Sequence, residues 1–204
     1  MKPNARIPIV IGVSGHRQLR LSDLAALEAA VTEQLRLLQR DYPHSPLVML
    51  NSLAAGADQL AARVALKLSV PYIALLPMEA AEYRRDFSGE ALTEFDALLA
   101  RAERTIIVPQ IETPPVNLDR DYFYRQAGVY VAMHSHVLFA LWDGTPPVQG
   151  GCGTAEVADM VLNGHYVPAR GNILRSEDDG AVLHILTPRG DAPGFVSVID
   201  NKTL

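Results

Sequence analysis

A chain of 204 residues that is 49% hydrophobic and 20% charged has the composition of a globular protein, and we expect one domain over residues 1–204. The net charge of -5 argues against a duplex-DNA partner, because such proteins need a basic surface to displace counterions. The single cysteine predicts a reducing, cytoplasmic compartment, and no run approaches the ~18 apolar residues of a membrane span.

Short apolar runs alternate with amphipathic segments along the chain. Six short apolar runs are predicted as strands, and they cover residues 7–15, 47–51, 71–77, 104–110, 136–144 and 181–189. The first is rich in β-branched residues, and the first two are predicted to be buried. Between them, apolar residues recur at helical spacing, as in Leu24, Leu27 and Val31. The alternation predicts an α/β fold that is Rossmann-like and doubly wound, with a mainly parallel sheet of about six or seven strands and helices on both faces.

The loops that follow the predicted strands are rich in glycine, proline, serine, arginine and aspartate. In a parallel sheet these loops share one edge, and ligands bind beyond the carboxyl ends of the strands where the strand order reverses. We therefore predict ligand contacts in these loops, at Ser14, Gly15, His16, Arg17, Gly56, Asp58, Trp142, Asp143 and Gly144.

Four of these side chains have a specific predicted role and an ordinary structural alternative. Arg17 can bind a phosphate through two parallel hydrogen bonds, or it can brace a turn. Asp58 stands in the first turn of a predicted helix, where a carboxylate is stabilising even without a ligand. Asp143 can bind ribose hydroxyls, and Trp142 can either stack on a base or belong to the core.

The stretch QGGCGTAEV places three glycines around a cysteine, directly before a helical pattern that begins near Thr154. Glycine lets the backbone approach a ligand closely, and the first amides of a helix bind anions at the positive end of its dipole. We therefore predict a phosphate site in this loop, at Gly150, Gly151, Cys152, Gly153 and Thr154.

Glu156 follows two residues after this predicted phosphate site. A carboxylate beside a phosphate would be repelled, so we expect Glu156 to face a ribose, at its hydroxyls or at the charge that develops on its anomeric carbon. The alternative is a glycine-rich turn in which Glu156 only stabilises the helix dipole.

Several other kinds of site lack residues that they need. The chain has no GxxxxGK[ST] motif, and Glu156 stands where a dinucleotide-binding motif has its third glycine. Cys152 has no identifiable partner base, and His134 and His136 have no third ligand. We therefore expect neither a metal nor another cofactor.

The stretch GGCGTAE resembles the GGxGTxxE signature of the SLOG superfamily, which includes the lonely-guy phosphoribohydrolases. GVSGHR, SLAAGADQLAARVAL and YFYRQAGVYVAMHSHVLFALWDG follow the wider pattern in the same order, so the resemblance covers most of residues 7–164. It implies a nucleotide or nucleotide-derived small molecule as partner, and a homodimer. The enzymes use the signature glutamate and an arginine on the preceding helix, which implies catalytic roles for Glu156 and Arg125, with Arg120 as a second candidate for the arginine, expected to contact the ligand.

Three functions are compatible with these residues. The first is a nucleotide-binding or sensing domain, and the second is a hydrolase that cleaves the N-glycosidic bond of a nucleoside monophosphate. The third is an interaction module with a vestigial pocket. The sequence departs from the enzyme pattern because LWDGTPPVQGGCGT inserts residues before the glycines, and small displacements of catalytic groups are costly.

Overall fold

A seven-stranded sheet forms the centre of the protein. The computed structural model describes residues 6–116, 119–148, 151–163 and 181–200. Its strands are β1 (Ile9–Gly15), β2 (Leu47–Asn51), β3 (Tyr72–Leu76), β4 (Arg104–Ile107), β5 (Val137–Trp142), β6 (Ala181–Leu186) and β7 (Ser197–Asp200). They lie in the order β4-β3-β2-β1-β5-β6-β7. All neighbouring pairs are parallel except β6 and β7, which are antiparallel.

Six α-helices accompany the sheet in the described ranges. They are α1 (Leu24–Asp41), α2 (Ala57–Lys67), α3 (Ala80–Tyr83), α4 (Gly89–Leu99), α5 (Arg120–His134) and α6 (Thr154–Asn163). Single 3-10 turns precede α1 and follow α3. The predicted Rossmann-like α/β fold with a mainly parallel sheet is therefore confirmed. None of the helices in the described part of the chain is both long and apolar enough to cross a membrane.

The core has two parts, one on each face of the sheet. Successive strand residues point to opposite faces, so Leu141 belongs to the cluster that contains Leu27 of α1 and Leu60 of α2. Its neighbour Trp142 belongs to the cluster that contains Val157 of α6 and residues of α5. Helices on both faces cover the parallel strands, which explains why those strands read as continuous apolar runs.

The strand order reverses at β1. From β1 the chain moves outward through β2, β3 and β4, and it then returns through α5 to place β5 on the other side of β1. The loops after β1 and β5 consequently leave the sheet in opposite directions and open a crevice between them. Ligands of open α/β sheets bind in such a crevice.

Candidate functional site

A pocket of about 540 Å³ lies at the carboxyl end of β1. The loops after β1, β2 and β3 line it together with α3, α5 and the start of α6. The predicted contacts that line it are Ser14, Gly15, His16, Arg17, Asp58, Cys152, Gly153 and Thr154. The other predicted residues within the described ranges do not line it, and Gly150 lies outside those ranges.

Arg17 supplies an exposed positive charge to the pocket. Its guanidinium carbon lies 4.7 Å from the centroid of the Tyr124 ring, in a cation–π arrangement. Burial lowers the pKa of Arg17, but Tyr83, Tyr124 and Asp86 raise it by more, so the group stays charged. Among the ion pairs of the described residues, none includes Arg17. This cation is therefore available to an anionic ligand.

Two hydroxyl groups join the end of β1 to the start of α6. The Ser14 hydroxyl donates a hydrogen bond to the Thr154 hydroxyl at 3.2 Å, and both residues line the pocket. The Cys152 thiol lies beside them, and burial raises its pKa. A raised pKa keeps the thiol protonated, which makes it a poor nucleophile.

The glycine loop differs from the predicted phosphate cradle. The amide of Gly151 donates to the carbonyl of Val148 at 2.8 Å, and the amide of Gly153 donates to Glu156 at 2.9 Å. These two amides are therefore not available to a ligand. Within the described residues, the amides of Cys152 and Thr154 meet no acceptor.

Glu156 closes this loop instead of facing a ligand. One of its oxygens accepts from the amide of Gly153, and the other accepts from the amide of Val148 at 2.7 Å. Gly153 immediately precedes α6, so the first of these bonds is one half of a capping box, in which the third helical residue reaches back to the cap. Glu156 does not line the pocket, and the expectation that it faces a ribose finds no support in this geometry.

Arg125 lies on the other side of the same loop. Its Nε and Nη2 atoms pair with the carboxylate of Glu112 at 2.9 Å, and its Nη1 donates to the carbonyl of Gly151 at 3.1 Å. The bidentate pair neutralises the guanidinium and attaches the glycine loop to the segment before α5. Arg125 does not line the pocket, so neither residue of the implied catalytic pair does.

Arg120 is also engaged away from the pocket. Its guanidinium pairs with Glu82 and Asp86 at 2.5 Å, and its Nε donates to the Tyr124 hydroxyl at 3.1 Å. This hydrogen bond and the neighbouring carboxylates raise the pKa of Arg120. The Tyr124 ring packs against the Arg17 guanidinium. Arg120 therefore contributes to the pocket only indirectly, through its hydrogen bond to Tyr124.

The end of β5 forms its own hydrogen-bonded group. The amide of Asp143 donates to His16 Nε2 at 2.9 Å, and burial lowers the pKa of His16, so the ring is neutral. The Asp143 carboxylate accepts from the amide of Thr145 at 3.0 Å. Among these residues only His16 lines the pocket, as a neutral ring and not as a cation.

Trp142 stacks on a protein side chain. Its ring lies 3.7 Å from that of His184 at an interplanar angle of 26°, and its Nε1 donates to the carbonyl of Thr145. The alternation along β5 points Trp142 into the core shared with α6. This placement agrees with the core alternative for Trp142. Gly144 follows with φ +79 beside the His184 ring and outside the pocket lining.

Gly56 joins two loops and does not line the pocket. Its φ is +84, and a Cβ at this position would lie 2.5 Å from the carbonyl oxygens of His16 and Arg17. The next amide, that of Ala57, donates to the His16 carbonyl at 3.0 Å. The absent side chain therefore lets the start of α2 lie directly against the end of β1.

Asp58 is the one predicted acidic contact that does line the pocket. It is only 5% exposed, and its Oδ2 accepts from the amide of Ala54 at 3.4 Å. Burial raises the pKa of Asp58 to about 7. A carboxyl group with this pKa changes its charge in the physiological range and responds to any ligand placed beside it.

Four titratable lining residues were missed by the sequence reasoning. They are Tyr83, Asp121, Tyr124 and Arg189. Arg189 follows the carboxyl end of β6, so the rule that selected the other loops also applies to it. Tyr83 and Tyr124 lie on helices, and nothing in their local sequence separates a pocket tyrosine from a core tyrosine.

No group of three or more histidine, cysteine, aspartate or glutamate residues that could hold a metal occurs in the described part of the chain. The two histidines considered for metal binding make hydrogen bonds to the backbone. His134 Nδ1 lies 2.8 Å from the carbonyl of Tyr130, and His136 Nδ1 accepts from the amide of Val10 at 2.9 Å.

No family model matches the chain, and no curated protein sequence does either. Three solved structures are similar in fold. DNA processing protein A (DprA) from Streptococcus pneumoniae is 17% identical with a TM-score of 0.43, and the match covers 65% of this chain and 41% of that protein. The protein TM1055 is 14% identical with a TM-score of 0.40, over 79% of this chain and 87% of that one. DNA processing protein A from Helicobacter pylori is 15% identical with a TM-score of 0.30, over 78% and 74%.

These similarities concern the fold. The strand order and the helices on both faces make the fold Rossmann-like, and membership of the SLOG superfamily stays a prediction from the motifs. This chain spans only 41% of the length of the pneumococcal protein, so activities and partners of that whole protein remain outside the comparison.

The expected set of partners is wrong in one respect. We predicted a small-molecule nucleotide, a homodimer, no nucleic acid duplex and no membrane, yet two of the similar structures are DNA processing proteins, one of them described by its single-stranded DNA binding mode. Net charge is a property of the whole molecule, and it does not exclude a single strand held by a few local contacts. Nucleic acid therefore belongs among the partners to be tested, and the homodimer stays a prediction.

Proposed function

We propose that the pocket binds a nucleotide or nucleotide-derived ligand, with its phosphate between Arg17 and the start of α6. The observation that carries this proposal is the charged guanidinium of Arg17, which is exposed in the pocket and forms no ion pair within 4.0 Å among the described residues. A phosphate would supply the missing negative charge.

Other donors lie where the same phosphate would need them. The Thr154 hydroxyl and the amides of Cys152 and Thr154 lie at the N-terminus of α6, where the helix dipole favours an anion. Arg189 adds a second positive charge to the pocket lining. The volume of about 540 Å³ is in the usual range for sites that bind small molecules.

The placement of Glu156 and Arg125 supports binding without cleavage. Both residues hold the glycine loop, and neither lines the pocket. A group that stabilises a developing charge has to lie within hydrogen-bond reach of the reacting atom. We therefore expect no release of free base from nucleoside monophosphates.

The same chemistry occurs in a free nucleotide and in a 5′-phosphorylated single strand. The binding mode described for the Helicobacter pylori protein makes the second source worth a separate arm of the experiment. We also propose that the protein is cytoplasmic, since its single cysteine fits a reducing compartment.

Calorimetric titration of the purified protein tests the proposal. The ligands are AMP, CMP, GMP, ADP-ribose and a short 5′-phosphorylated single-stranded oligonucleotide. We expect at least one to bind, and we expect Arg17→Ala to weaken its binding about 10- to 100-fold, because hydrogen bonds to charged groups contribute about 1.5–3 kcal/mol. Arg36→Ala, which removes an exposed arginine of α1, is the matched control and should change nothing.

The mononucleotide and oligonucleotide titrations, together with the variants, distinguish the possible functions. Binding of mononucleotides alone indicates a free nucleotide, and binding of the oligonucleotide alone indicates a strand. Free base that appears in wild type and disappears in Glu156→Ala would contradict binding without cleavage. If no ligand binds, or if Arg17→Ala and Arg36→Ala bind equally well, the proposal fails.

A further inference from the structure

Asp58 stands out among the acidic residues of the pocket because it is both buried and turned toward the cavity. It is 5% exposed and belongs to the pocket lining. A carboxylate has about four acceptor sites, and among the described residues it meets only backbone amides, of which Ala54 is 3.4 Å from Oδ2. Most of its hydrogen-bonding capacity is therefore unused.

The surrounding loop fixes the position of this carboxyl group. The Asn51 amide group donates to the carbonyl of Asp58 at 2.9 Å, and its oxygen accepts from the amide of Leu53 at 2.7 Å. Gly56 lets the start of α2 lie against the carbonyls of His16 and Arg17, which directly follow β1. These contacts fix the backbone before and after Asp58, so its carboxyl group is held in one orientation before a ligand binds.

The path from the phosphate site to Asp58 is short. Thr154 contacts Ser14, and Gly15 beside it lies against Ala57, the residue before Asp58. A nucleotide that placed its phosphate at Thr154 would bring its sugar toward Asp58, while its base would extend farther. Sugar hydroxyls can donate hydrogen bonds, and the Asp58 carboxylate has unused acceptor sites for them.

We infer that Asp58 is a specificity-determining residue that accepts hydrogen bonds from the sugar hydroxyls of the bound nucleotide. This inference rests on the proposed function and adds to it the part of the ligand that is recognised. Glu156, for which the sequence predicted the ribose contact, is engaged with the glycine loop, so Asp58 takes that role.

Binding of a sugar at Asp58 should change the protonation of its carboxyl group. Burial raises the pKa of Asp58 to about 7, and hydroxyl donors stabilise the carboxylate, so binding should lower that pKa and release a proton near pH 7. The titratable groups that line the pocket with Asp58 are His16, Arg17, Tyr83, Asp121, Tyr124, Cys152 and Arg189. Asp86 lies outside the lining and acts on Tyr83. A phosphate paired with Arg17 acts in the opposite direction, because it removes a cation that favours the carboxylate.

Calorimetry with matched nucleotides tests the inference. AMP, 2′,3′-dideoxy-AMP and IMP are titrated into wild type at pH 6, 7 and 8, in two buffers of different ionisation enthalpy. We expect AMP and IMP to bind equally, and the dideoxy nucleotide to bind about tenfold more weakly at pH 8, which is the usual effect of one or two lost hydrogen bonds. More protons should be released per AMP than per dideoxy-AMP at pH 7, because the two nucleotides share a phosphate and only AMP carries the hydroxyls that stabilise the Asp58 carboxylate.

The variant Asp58→Asn should reduce the difference in affinity between AMP and dideoxy-AMP and abolish the difference in proton release between them. Glu90→Gln, which alters an exposed carboxylate in the first turn of α4, is the matched control and should leave both intact. The wild-type comparison of ligands needs no variant, so the test holds even if Asp58→Asn fails to fold.

The results separate this inference from the proposed function. Equal affinity for AMP and dideoxy-AMP, or equal proton release on binding of the two nucleotides at pH 7, overturns the role of Asp58 while nucleotide binding stands. A difference between AMP and IMP in place of the sugar effect assigns the contact to the base and likewise overturns it. If no nucleotide binds to wild type, the proposed function fails and this inference falls with it.

Discussion

Glu156 and Asp58 both lie in the first turn of a helix, yet their carboxyl oxygens meet different partners. Glu156 accepts from the amides of Val148 and Gly153 and so closes the glycine loop. Asp58 meets only backbone amides on one side and faces the cavity on the other. A carboxylate with two strong amide donors has a structural role, whereas one with unused capacity in a pocket can recognise a ligand.

Replacement of Glu156 by alanine should destabilise the loop. The lost cap should lower the free energy of unfolding by about 1 kcal/mol, and the amides of Val148 and Gly153 should exchange faster with solvent because they lose their acceptor. Hydrogen exchange followed by NMR measures this effect, with Glu90→Ala as the control. Unchanged exchange at both amides, together with loss of nucleotide binding, would contradict the capping role.

Asp58 should make the protein less stable as the pH rises. In the unfolded chain an aspartate has a pKa of about 4, whereas burial raises the pKa of Asp58 to about 7 in the folded protein. The folded state therefore binds more protons between these values, and its stability falls with rising pH by an amount on the order of 4 kcal/mol from this group.

Urea unfolding of wild type and Asp58→Asn between pH 4 and pH 8 measures this contribution. The variant should gain stability relative to wild type as the pH rises, and the difference should level off above pH 7. Comparison with the variant is necessary because the half-buried His16 and the buried His184, whose pKa values burial lowers, change stability in the opposite direction. A difference between wild type and variant that is constant over this range would rule out a raised pKa for Asp58.

At the scale of secondary structure, the start of α2 packs directly against the backbone at the end of β1. Gly56 has φ +84, and a Cβ there would lie 2.5 Å from two carbonyl oxygens. The amide of Ala57 bonds to the His16 carbonyl at 3.0 Å. The position of Asp58 in the pocket therefore depends on the contact between these two elements.

Replacement of Gly56 by alanine should cost more than the same change at Gly89. Both glycines have positive φ, but a Cβ at Gly89 meets nothing within 4 Å. The Gly89→Ala variant should lose about 1 kcal/mol from backbone strain alone, whereas Gly56→Ala should lose about 1–3 kcal/mol more from overpacking. Urea unfolding measures both, and equal losses would show that α2 and β1 are not closely joined.

The order of the elements could be predicted from sequence because the parallel strands, except the mostly exposed edge strand β4, are largely buried on both faces. Runs such as residues 47–51 read as continuous apolar segments, and β2 (Leu47–Asn51) has those bounds. β7 was not predicted, since Phe195, Val198 and Ile199 are exposed and its segment lacks an alternating pattern. An edge strand gains its conformation from pairing with its neighbour, which a local pattern does not report.

The site residues could be predicted only where their position directly after a strand is enough to bring the side chain to the pocket. Arg17 follows a central strand and reaches the pocket. Trp142 follows the same rule but points to the other face of the sheet, and Arg125 is taken up by Glu112, 13 residues away. These partners come from tertiary contacts, so a loop motif locates the edge of the sheet but does not identify which side chains face a ligand.

The topology of the whole molecule places the pocket. The strand order reverses at β1, and the cores on the two faces of the sheet hold the helices that form the walls of the pocket. The net charge of -5 is compatible with a local anion site, because the cations of the pocket are Arg17 and Arg189 while much of the negative charge lies elsewhere. The single domain over residues 1–204 stays a prediction.

A crystal structure of the protein with saturating AMP tests the central claim most directly. We predict that the phosphate lies in the pocket at the end of β1, with its oxygens about 3 Å from the Arg17 guanidinium and from the hydroxyl or amide of Thr154. A phosphate bound outside this pocket, or a pocket without nucleotide at saturating concentration, would contradict the account.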